Sequence, residues 1–371
     1  MSSHIINGHC ILCASSELEL VVPIRPSPIA DSYLPADRGG AALEKFPLDL
    51  HLCRNCGHVQ LRCIVNPEVL FGDYIYFTSS SAGLVEHFRR QSEELMARFG
   101  GDQSGLVVDI GSNDGTLLRF FKEAGHRVLG IDAAVNVAEK ANAAGIETLA
   151  EFFTADLGTD IRREHGPAAI VTANNVFAHS LALTAMADGI RAMLAPDGVF
   201  LFEVSYLLDI VEKMLFDTVY HEHLCYHSVK PLQSFFARHG LELFDIQRIE
   251  SKGGSLRGFV QLAGGPRKVE PMVAEMVGME EKLGLDQPAL FAGFSDRIER
   301  AREALIELLE THRDAGRRVV GFGASATVTT LMHHFELGPY LECLVDDNQS
   351  RHGLVSPGYG LMVRSPELLQ R

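Results

Sequence analysis

The stretch VVDIGSNDG at residues 107–115 decides the fold of this chain. An apolar strand ends there near Asp109 and runs through a turn at Gly111 and Gly115 into a helix. Glycine lets the backbone come close to a ligand, and doubly wound sheets bind their ligands at the carboxyl ends of strands. The stretch therefore predicts a ligand cleft at the carboxyl end of the first strand of a parallel sheet.

The side chains in this turn favour a ligand that carries positive charge and no phosphate. The turn does not follow the GxGxxG pattern, because Asp109 ends the strand and Asn113 and Asp114 fill the loop. A carboxylate is unfavourable beside a pyrophosphate, but it suits the sulfonium of S-adenosylmethionine (SAM). Asp132 ends the second strand, where a carboxylate can accept hydrogen bonds from ribose hydroxyls. The pattern predicts SAM, with a nicotinamide cofactor as the alternative.

Later strand ends supply the remaining candidates for this cleft. Phe152 and Phe153 can flank the adenine, and Asn174 and Asn175 end the next strand. The residues predicted from this pattern to bind SAM are Asp109, Gly111, Ser112, Asn113, Asp114, Asp132, Phe153, Asn174 and Asn175.

Outward from the turn, short apolar runs alternate with helical stretches. The runs are LVVDI, RVLGID, AAIVTANN and GVFLFEV, and segments such as TLLRFFKEAG separate them. This alternation is typical of a parallel sheet covered by helices. A second strand, glycine turn and helix begin at Arg317, after a helix whose apolar face runs from Ile298 to His312. The fold class predicted is therefore α/β, with two such units.

Two cysteine pairs indicate a metal site ahead of these units. Cys10-x-x-Cys13 and Cys53-x-x-Cys56 each place two thiolates on a tight turn, and two such turns can close a tetrahedral Zn²⁺ shell. A closed shell leaves no position for water, so the predicted role of zinc is structural, and redox chemistry is the alternative. Further donors lie nearby: His51, His58 and Cys63.

Composition excludes several classes of protein. The 371 residues are 46% hydrophobic and 22% charged, as in a folded chain of two or three domains. The net charge of −15 argues against a broad nucleic-acid surface, and no run approaches the ~20 apolar residues of a membrane helix. The start MSSHIINGHC does not resemble a secretory signal. We expect a cytoplasmic, monomeric protein without nucleic-acid or membrane partners.

Several motifs together resemble one family. DIGSNDGTLL, ANNVFAHS, FDTVYHEHLCYHS, KGGSLRGFV and GFGASA follow the paired CxxC motifs, from Cys10 to about Pro357. This order resembles the SAM-dependent sugar C-methyltransferases, which methylate a ring carbon of nucleotide-linked keto-deoxysugars. The resemblance implies three domains: a zinc-binding module (1–72), a class I SAM methyltransferase domain (73–264) and a C-terminal Rossmann-like domain (265–371) that binds the nucleotide sugar.

The YHEH block at residues 220–223 suits chemistry on carbon. Attack on a sulfonium methyl requires a carbanion beside a carbonyl, so the enzyme needs a base, and histidine titrates nearest neutral pH. A tyrosine hydroxyl can donate to the developing enolate oxygen. By resemblance the base is His223, and Tyr220 and Glu222 position the sugar and the enolate. For His221 a structural role is favoured, because isolated histidines are usually surface or satisfied core residues. The resemblance also implies that Tyr76 reaches the active site and adds His179 beside Asn175.

The turn at residues 321–325, GFGAS, can offer backbone amides and a helix amino terminus to a diphosphate. The resemblance assigns the nucleotide of the substrate to this domain, and Asp346 follows the next strand, where it can meet a ribose hydroxyl. Lys252 and Arg257 in KGGSLRG are further candidates for phosphate contact, so the predicted substrate contacts are Lys252, Arg257, Gly323, Ser325 and Asp346.

The sequence thus predicts a C-methyltransferase with SAM, structural zinc and a nucleotide-linked keto-sugar. An oxidoreductase that binds NAD at the Gly321 turn is one alternative. A non-catalytic zinc protein that binds nucleotide sugars is another. Methyl transfer to oxygen or nitrogen is disfavoured, because those acceptors need no carbon acid chemistry.

Overall fold

The computed structural model describes residues 3–38, 43–66, 69–70, 77–100 and 105–370. The predicted α/β class, with an amino-terminal zinc-binding module, is confirmed. The strands in chain order are β1 (His4–Ile6), β2 (Leu18–Val22), β3 (Leu34–Pro35), β4 (Leu50–Cys53), β5 (Val59–Leu61), β6 (Cys63–Val65), β7 (Leu106–Ile110), β8 (Arg127–Ile131), β9 (Thr148–Leu149), β10 (Ala168–Asn174), β11 (Leu194–Ser205), β12 (Cys225–Tyr226), β13 (Leu241–Ile249), β14 (Ser255–Leu262), β15 (Gly321–Phe322), β16 (Leu344–Val345), β17 (Leu354–Val355) and β18 (Val363–Arg364).

The α-helices bury one face each against these sheets. They are α1 (Ala82–Phe99), α2 (Thr116–Glu123), α3 (Val135–Ala143), α4 (Ala155–His165), α5 (Leu183–Met193), α6 (Leu207–Lys213), α7 (Val229–Arg238), α8 (Pro271–Leu283), α9 (Pro288–Asp314) and α10 (Ala326–Phe335). In α1, Ser81 caps the amino terminus by accepting from the Leu84 amide, and Phe88 and Leu95 bury the inner face. None of the helices in the described part of the chain is long and apolar enough to cross a membrane.

The central domain is built on a seven-stranded sheet in the order β13-β14-β11-β10-β7-β8-β9. Five neighbouring strands of this sheet, β11, β10, β7, β8 and β9, run parallel to one another. Strand β14 is antiparallel to both β11 and β13. All five residues of β7 are buried, because helices cover both faces of this central strand. The predicted strand at 106–110 is therefore confirmed, and its carboxyl end opens into the glycine turn.

The zinc-binding module is a small sheet in the order β12-β5-β4-β2. Its core contains Leu50, Leu52, Val59 and Leu61, all at most 1% exposed. The edge strand β12 comes from far along the chain, directly after the YHEH block. The module is therefore joined to the central domain by backbone pairing as well as by side-chain contacts.

The C-terminal unit contains a short parallel sheet, β15-β16-β18. The strand predicted at Arg318–Val320 lies instead at Gly321–Phe322, because the ladder with β16 begins where Gly321 faces Leu344. Upstream of Gly321, the contact between these two segments is a backbone hydrogen bond in which the Glu342 amide donates to the Val319 carbonyl. Strand β17 pairs with β3, which fastens this unit to the zinc-binding module.

Candidate active site

Four cysteines converge at one end of the zinc-binding module. Their Sγ atoms lie within 4.8 Å of one another, with 3.7 Å between Cys10 and Cys56 and 3.6 Å between Cys13 and Cys53. Zn–S bonds of about 2.3 Å in a tetrahedron place sulfur atoms roughly 3.8 Å apart, so the four thiolates fit Zn²⁺. Of the described residues, only these cysteines form such a group; His51, His58 and Cys63 do not join it.

The first glycine turn is shaped by close packing. Gly111 has a φ of 72°, and a Cβ on it would lie 2.2 Å from Cγ2 of Val176. The amides of Gly111 and Ser112 both donate to the Ile131 carbonyl, which folds the turn back over β8. Any larger residue at 111 would be strained and would clash, so the turn requires glycine here.

Two carboxylates line the turn from neighbouring strand ends. Asp109 accepts a 2.6 Å hydrogen bond from Oγ1 of Thr172, and burial raises the pKa of its carboxyl to about 7. Asp132 accepts from the amides of Asn113 and Ala134, each at 2.9 Å, and burial raises its pKa as well. Ser112 Oγ is buried without a hydrogen-bond partner among the described residues. The turn thus offers two acids and an unused hydroxyl to a polar, cationic ligand.

A segment ahead of α1 covers this turn, and the sequence motifs did not reveal it. The Thr78 amide donates to Oδ1 of Asn113 at 2.8 Å, and the Ser79 amide donates to Oδ2 of Asp114 at 3.1 Å. The predicted active-site residue Tyr76 lies outside the described residues. Residues 78–79 carry no motif, so only the fold associates them with the turn.

A buried polar cluster joins α1 to the end of the sheet. Glu203 is fully buried, with Nε2 of His87 at 2.9 Å from Oε1 and a guanidinium nitrogen of Arg257 at 3.0 Å from Oε2. Gln91 donates from Nε2 to Oδ1 of Asn174 at 2.8 Å. Asn174 is thereby held at the carboxyl end of β10, as expected for a cleft residue.

Arg257 does not present its charge to a phosphate. Its side chain is 7% exposed, and its guanidinium is engaged by Glu203 and Glu94. The KGGSLRG motif gave no sign of this, because both partners lie in distant segments.

The two phenylalanines after β9 have different surroundings. Phe153 is buried, and its ring packs against Gly189, where an added Cβ would lie 2.9 Å from the ring. Phe152 is 61% exposed. Of the two phenylalanines predicted to flank the adenine, Phe153 is therefore a core residue and Phe152 is exposed.

His223 of the YHEH block is oriented by a backbone carbonyl and lies beside two other rings. His223 Nδ1 donates a 2.8 Å hydrogen bond to the Thr218 carbonyl, which leaves the Nε2 lone pair as the basic site. The rings of Tyr220 and His179 lie 4.1 Å and 5.0 Å from the His223 ring, centroid to centroid. Burial lowers the pKa of His223 to about 4, so the imidazole is neutral at pH 7.

Glu222 and Lys252 place charge beside this imidazole. Burial raises the pKa of Glu222 to about 7, Asp31 of the zinc-binding module raises it further, and Lys252 acts in the opposite direction. Lys252 is open to solvent, yet the surrounding protein lowers the pKa of its ammonium, and the charges of Glu203 and Glu222 oppose that effect. Lys252 also lowers the pKa values of His179 and His223, after the larger effect of burial. The positive charge of Lys252 therefore acts on both histidines in the same direction as burial.

The second glycine turn is partly closed from inside. Asp346 accepts from the Ala324 amide at 2.6 Å and from the Asn348 amide at 2.7 Å. The carboxylate predicted to meet a ribose hydroxyl thus occupies an amide that was predicted to meet a diphosphate. Ser325 is exposed at the amino terminus of α10, and Gly323 has a φ of 108°.

Three family models match consecutive segments of the chain, and one relative aligns over nearly all of it. Residues 10–71 match the model of a zinc binding domain, residues 84–246 that of a methyltransferase domain, and residues 250–371 that of a C-methyltransferase C-terminal domain. The C-methyltransferase NovU of Streptomyces niveus is 36% identical over 361 residues, which cover 96% of this chain and 86% of NovU.

Solved structures align with about half of the chain. Magnesium protoporphyrin IX methyltransferase from Synechocystis PCC 6803, with bound S-adenosylhomocysteine, is 15% identical over 52% of this chain and 90% of its own, with a TM-score of 0.37. The PH0226 protein from Pyrococcus horikoshii is 13% identical over 53% of this chain and all of its own, with a TM-score of 0.41.

Proposed function

The chain belongs to the SAM-dependent C-methyltransferase family, and from this premise we propose that it methylates a ring carbon beside the keto group of a nucleotide-linked deoxysugar. The observation that carries the proposal is the hydrogen bond from Nδ1 of His223 to the Thr218 carbonyl, which leaves the lone pair of the neutral imidazole on Nε2. Carbon methylation needs such a base, because the acceptor carbon must first lose a proton.

The proposed reaction begins with His223. Nε2 takes the proton from the carbon next to the keto group, and the electron pair of the broken C–H bond moves onto the keto oxygen as an enolate. When bound, SAM would supply the electrophilic methyl group: the new C–C bond would form as the S–CH3 bond breaks, S-adenosylhomocysteine would leave with that electron pair, the keto group would re-form, and His223 would return its proton to solvent. The Thr218 carbonyl keeps accepting from Nδ1 after the ring becomes a cation, so the imidazolium remains oriented.

The developing oxyanion needs donors, and two side chains near His223 can provide them. The phenol ring of Tyr220 lies beside the imidazole, tilted by 37° with 4.1 Å between ring centroids. The positive charge of Lys252 lowers the pKa values of both His223 and Glu222, and it is the second candidate donor. A cation in a partly desolvated cleft stabilises an enolate oxygen strongly. We therefore assign Lys252 to the sugar rather than to the diphosphate.

The remaining site residues divide between the two ligands. Asp109, Asp132 and the turn at 111–114 suit SAM, because they combine buried carboxylates with close backbone approach. Asn174, Asn175 and His179 line the same strand end and the segment after it. Gly323 and the exposed Ser325 suit the nucleotide of the sugar.

The test is a panel of nucleotide keto-sugars incubated with enzyme and SAM in deuterated water, analysed by mass spectrometry. We expect one substrate to gain a methyl group and, without SAM, to exchange its α hydrogen for deuterium. His223→Asn should do neither. Methylation of oxygen or nitrogen, or reduction of a nicotinamide cofactor, would contradict the proposal.

A further inference from the structure

The loop that carries His223 is attached to the zinc-binding module at successive residues. Directly after the YHEH block, the Leu61 amide donates to the Leu224 carbonyl at 2.9 Å. Cys225 and Tyr226 then pair antiparallel with Gln60 and Val59 as strand β12. The loop at residues 220–224 thus leads directly into β12, the edge strand of the module's sheet.

His221 adds a side-chain link to the same module. Its Nε2 donates to the Phe46 carbonyl at 3.2 Å, and its ring meets the Phe46 ring edge to face, with 5.6 Å between centroids. Phe46 is itself held by two backbone hydrogen bonds with Ser27. His221 is 1% exposed, and burial lowers its pKa to about 4, so the ring is neutral at pH 7. Its Nε2 is engaged by Phe46 and its Nδ1 is buried, so neither ring nitrogen of His221 is placed to take a proton from a substrate.

The opposite side of the loop is held by other parts of the chain. Thr330 of α10 donates from Oγ1 to the Val219 carbonyl at 2.6 Å, and Thr218 accepts from His223. The SAM turn, by contrast, is organised by Ile131 and Asp132 within the central sheet. Alignment of the base and formation of the SAM turn therefore depend on different contacts.

We propose that His221 is a positioning residue, which fastens the loop of His223 to the zinc-binding module and so makes the four-cysteine site a determinant of base alignment. This inference rests on the proposed function. Alignment errors of about 1 Å can cost on the order of 100-fold in rate. Loss of the His221 link should therefore slow proton abstraction while SAM binding continues.

The experiment compares His221→Gln with His221→Asn and His221→Leu. Glutamine can place an N–H near the position of Nε2, asparagine is too short to do so, and leucine offers no donor. His239→Gln is the matched control, because His239 is paired with Asp188 at 3.0 Å, away from the YHEH loop. Each protein is assayed for deuterium wash-in without SAM, for S-adenosylhomocysteine affinity by calorimetry and for zinc content.

We expect His221→Asn and His221→Leu to exchange the α hydrogen of the keto-sugar for deuterium about 10- to 100-fold more slowly. Their affinity for S-adenosylhomocysteine should stay within about twofold of the wild type, and their zinc content should be unchanged. His221→Gln should recover most of the rate, and amide exchange at 220–226 should quicken only in the impaired variants. Equal rates in all variants, or equal loss in glutamine and asparagine, would overturn the inference. If His221→Leu does not fold, the glutamine–asparagine comparison decides. Absence of wash-in by the wild type would instead refute the proposed function.

Discussion

The Nδ1 atom of His223 donates a hydrogen bond of 2.8 Å to the carbonyl oxygen of Thr218, five residues earlier in the chain. A carbonyl oxygen can only accept, so this bond fixes the tautomer that has its lone pair on Nε2. The bond also means that asparagine at 223 can keep the contact to Thr218 while it removes the basic nitrogen.

His223→Asn should therefore abolish proton abstraction without disturbing the loop. We expect at least about 100-fold slower deuterium wash-in, because a general base contributes roughly 10²–10⁴-fold. Calorimetric affinity for S-adenosylhomocysteine should stay within about twofold of the wild type. A variant that still exchanges at the wild-type rate would show that another group is the base.

The pH profile of wash-in should separate His223 from Glu222. Burial opposes the cationic form of His223 and lowers its pKa to about 4, so the neutral base persists well below pH 6.5. Glu222, with its pKa raised to about 7, titrates inside the accessible range. We expect an inflection near pH 7 in the wild type and none between pH 5 and 8 in Glu222→Gln. An inflection near pH 6.5 in the wash-in profile of Glu222→Gln would contradict a lowered pKa for His223.

SAM affinity should rise with pH through about 7. Burial raises the pKa of Asp109 to about 7, and the anionic form attracts the cationic ligand, so binding favours deprotonation. Calorimetry at pH 6 should give a dissociation constant up to about tenfold above that at pH 8. Asp109→Asn keeps an oxygen for the Thr172 hydroxyl and should bind weakly at both pH values. The same pH dependence in this variant would exclude Asp109 as its source.

Zinc removal should loosen the catalytic loop before it affects the SAM site. Chelation removes the metal that would hold the turns of Cys10 and Cys53 together. Strand β12 pairs with β5 in the sheet of the same module, so loss of the metal should also weaken the attachment of β12. Backbone amide hydrogen exchange should therefore quicken at residues 220–226 more than at 106–131, while the affinity for S-adenosylhomocysteine is retained. Simultaneous loss of protection in both segments would indicate a single cooperative unit instead.

Replacement of Glu203 by glutamine should destabilise the central domain by about 3–5 kcal/mol. The change leaves Arg257, only 7% exposed, without its buried counter-charge. Arg90→Ala is the control, since Arg90 is an exposed partner of Glu86 on α1 and its loss should hardly change the free energy of unfolding. Chemical denaturation measures both. A loss in Glu203→Gln no larger than in the control would mean that the buried Glu203–Arg257 pair between β11 and β14 does not stabilise the central domain.

Local patterns were enough for much of the architecture. The glycine turn after β7, the alternation of strands and helices and the two CxxC turns depend on residues close in sequence, because backbone conformation and periodic burial are local properties. The same is true of the candidate cleft, since parallel strands end at one edge of their sheet. The individual SAM and sugar contacts stay predictions.

By itself, the sequence determined the α/β class and the pairing of four cysteines in one cluster, and it predicted the position of the candidate cleft. Tertiary structure decided which side chains can serve it: Phe152 and not Phe153 is open, Arg257 is engaged by Glu203, and Asp346 occupies the Ala324 amide. It also decided that His221 contacts Phe46 while His223 lies beside His179. The physical reason is that burial and hydrogen bonding of a side chain depend on partners from distant segments, which no spacing within a motif specifies.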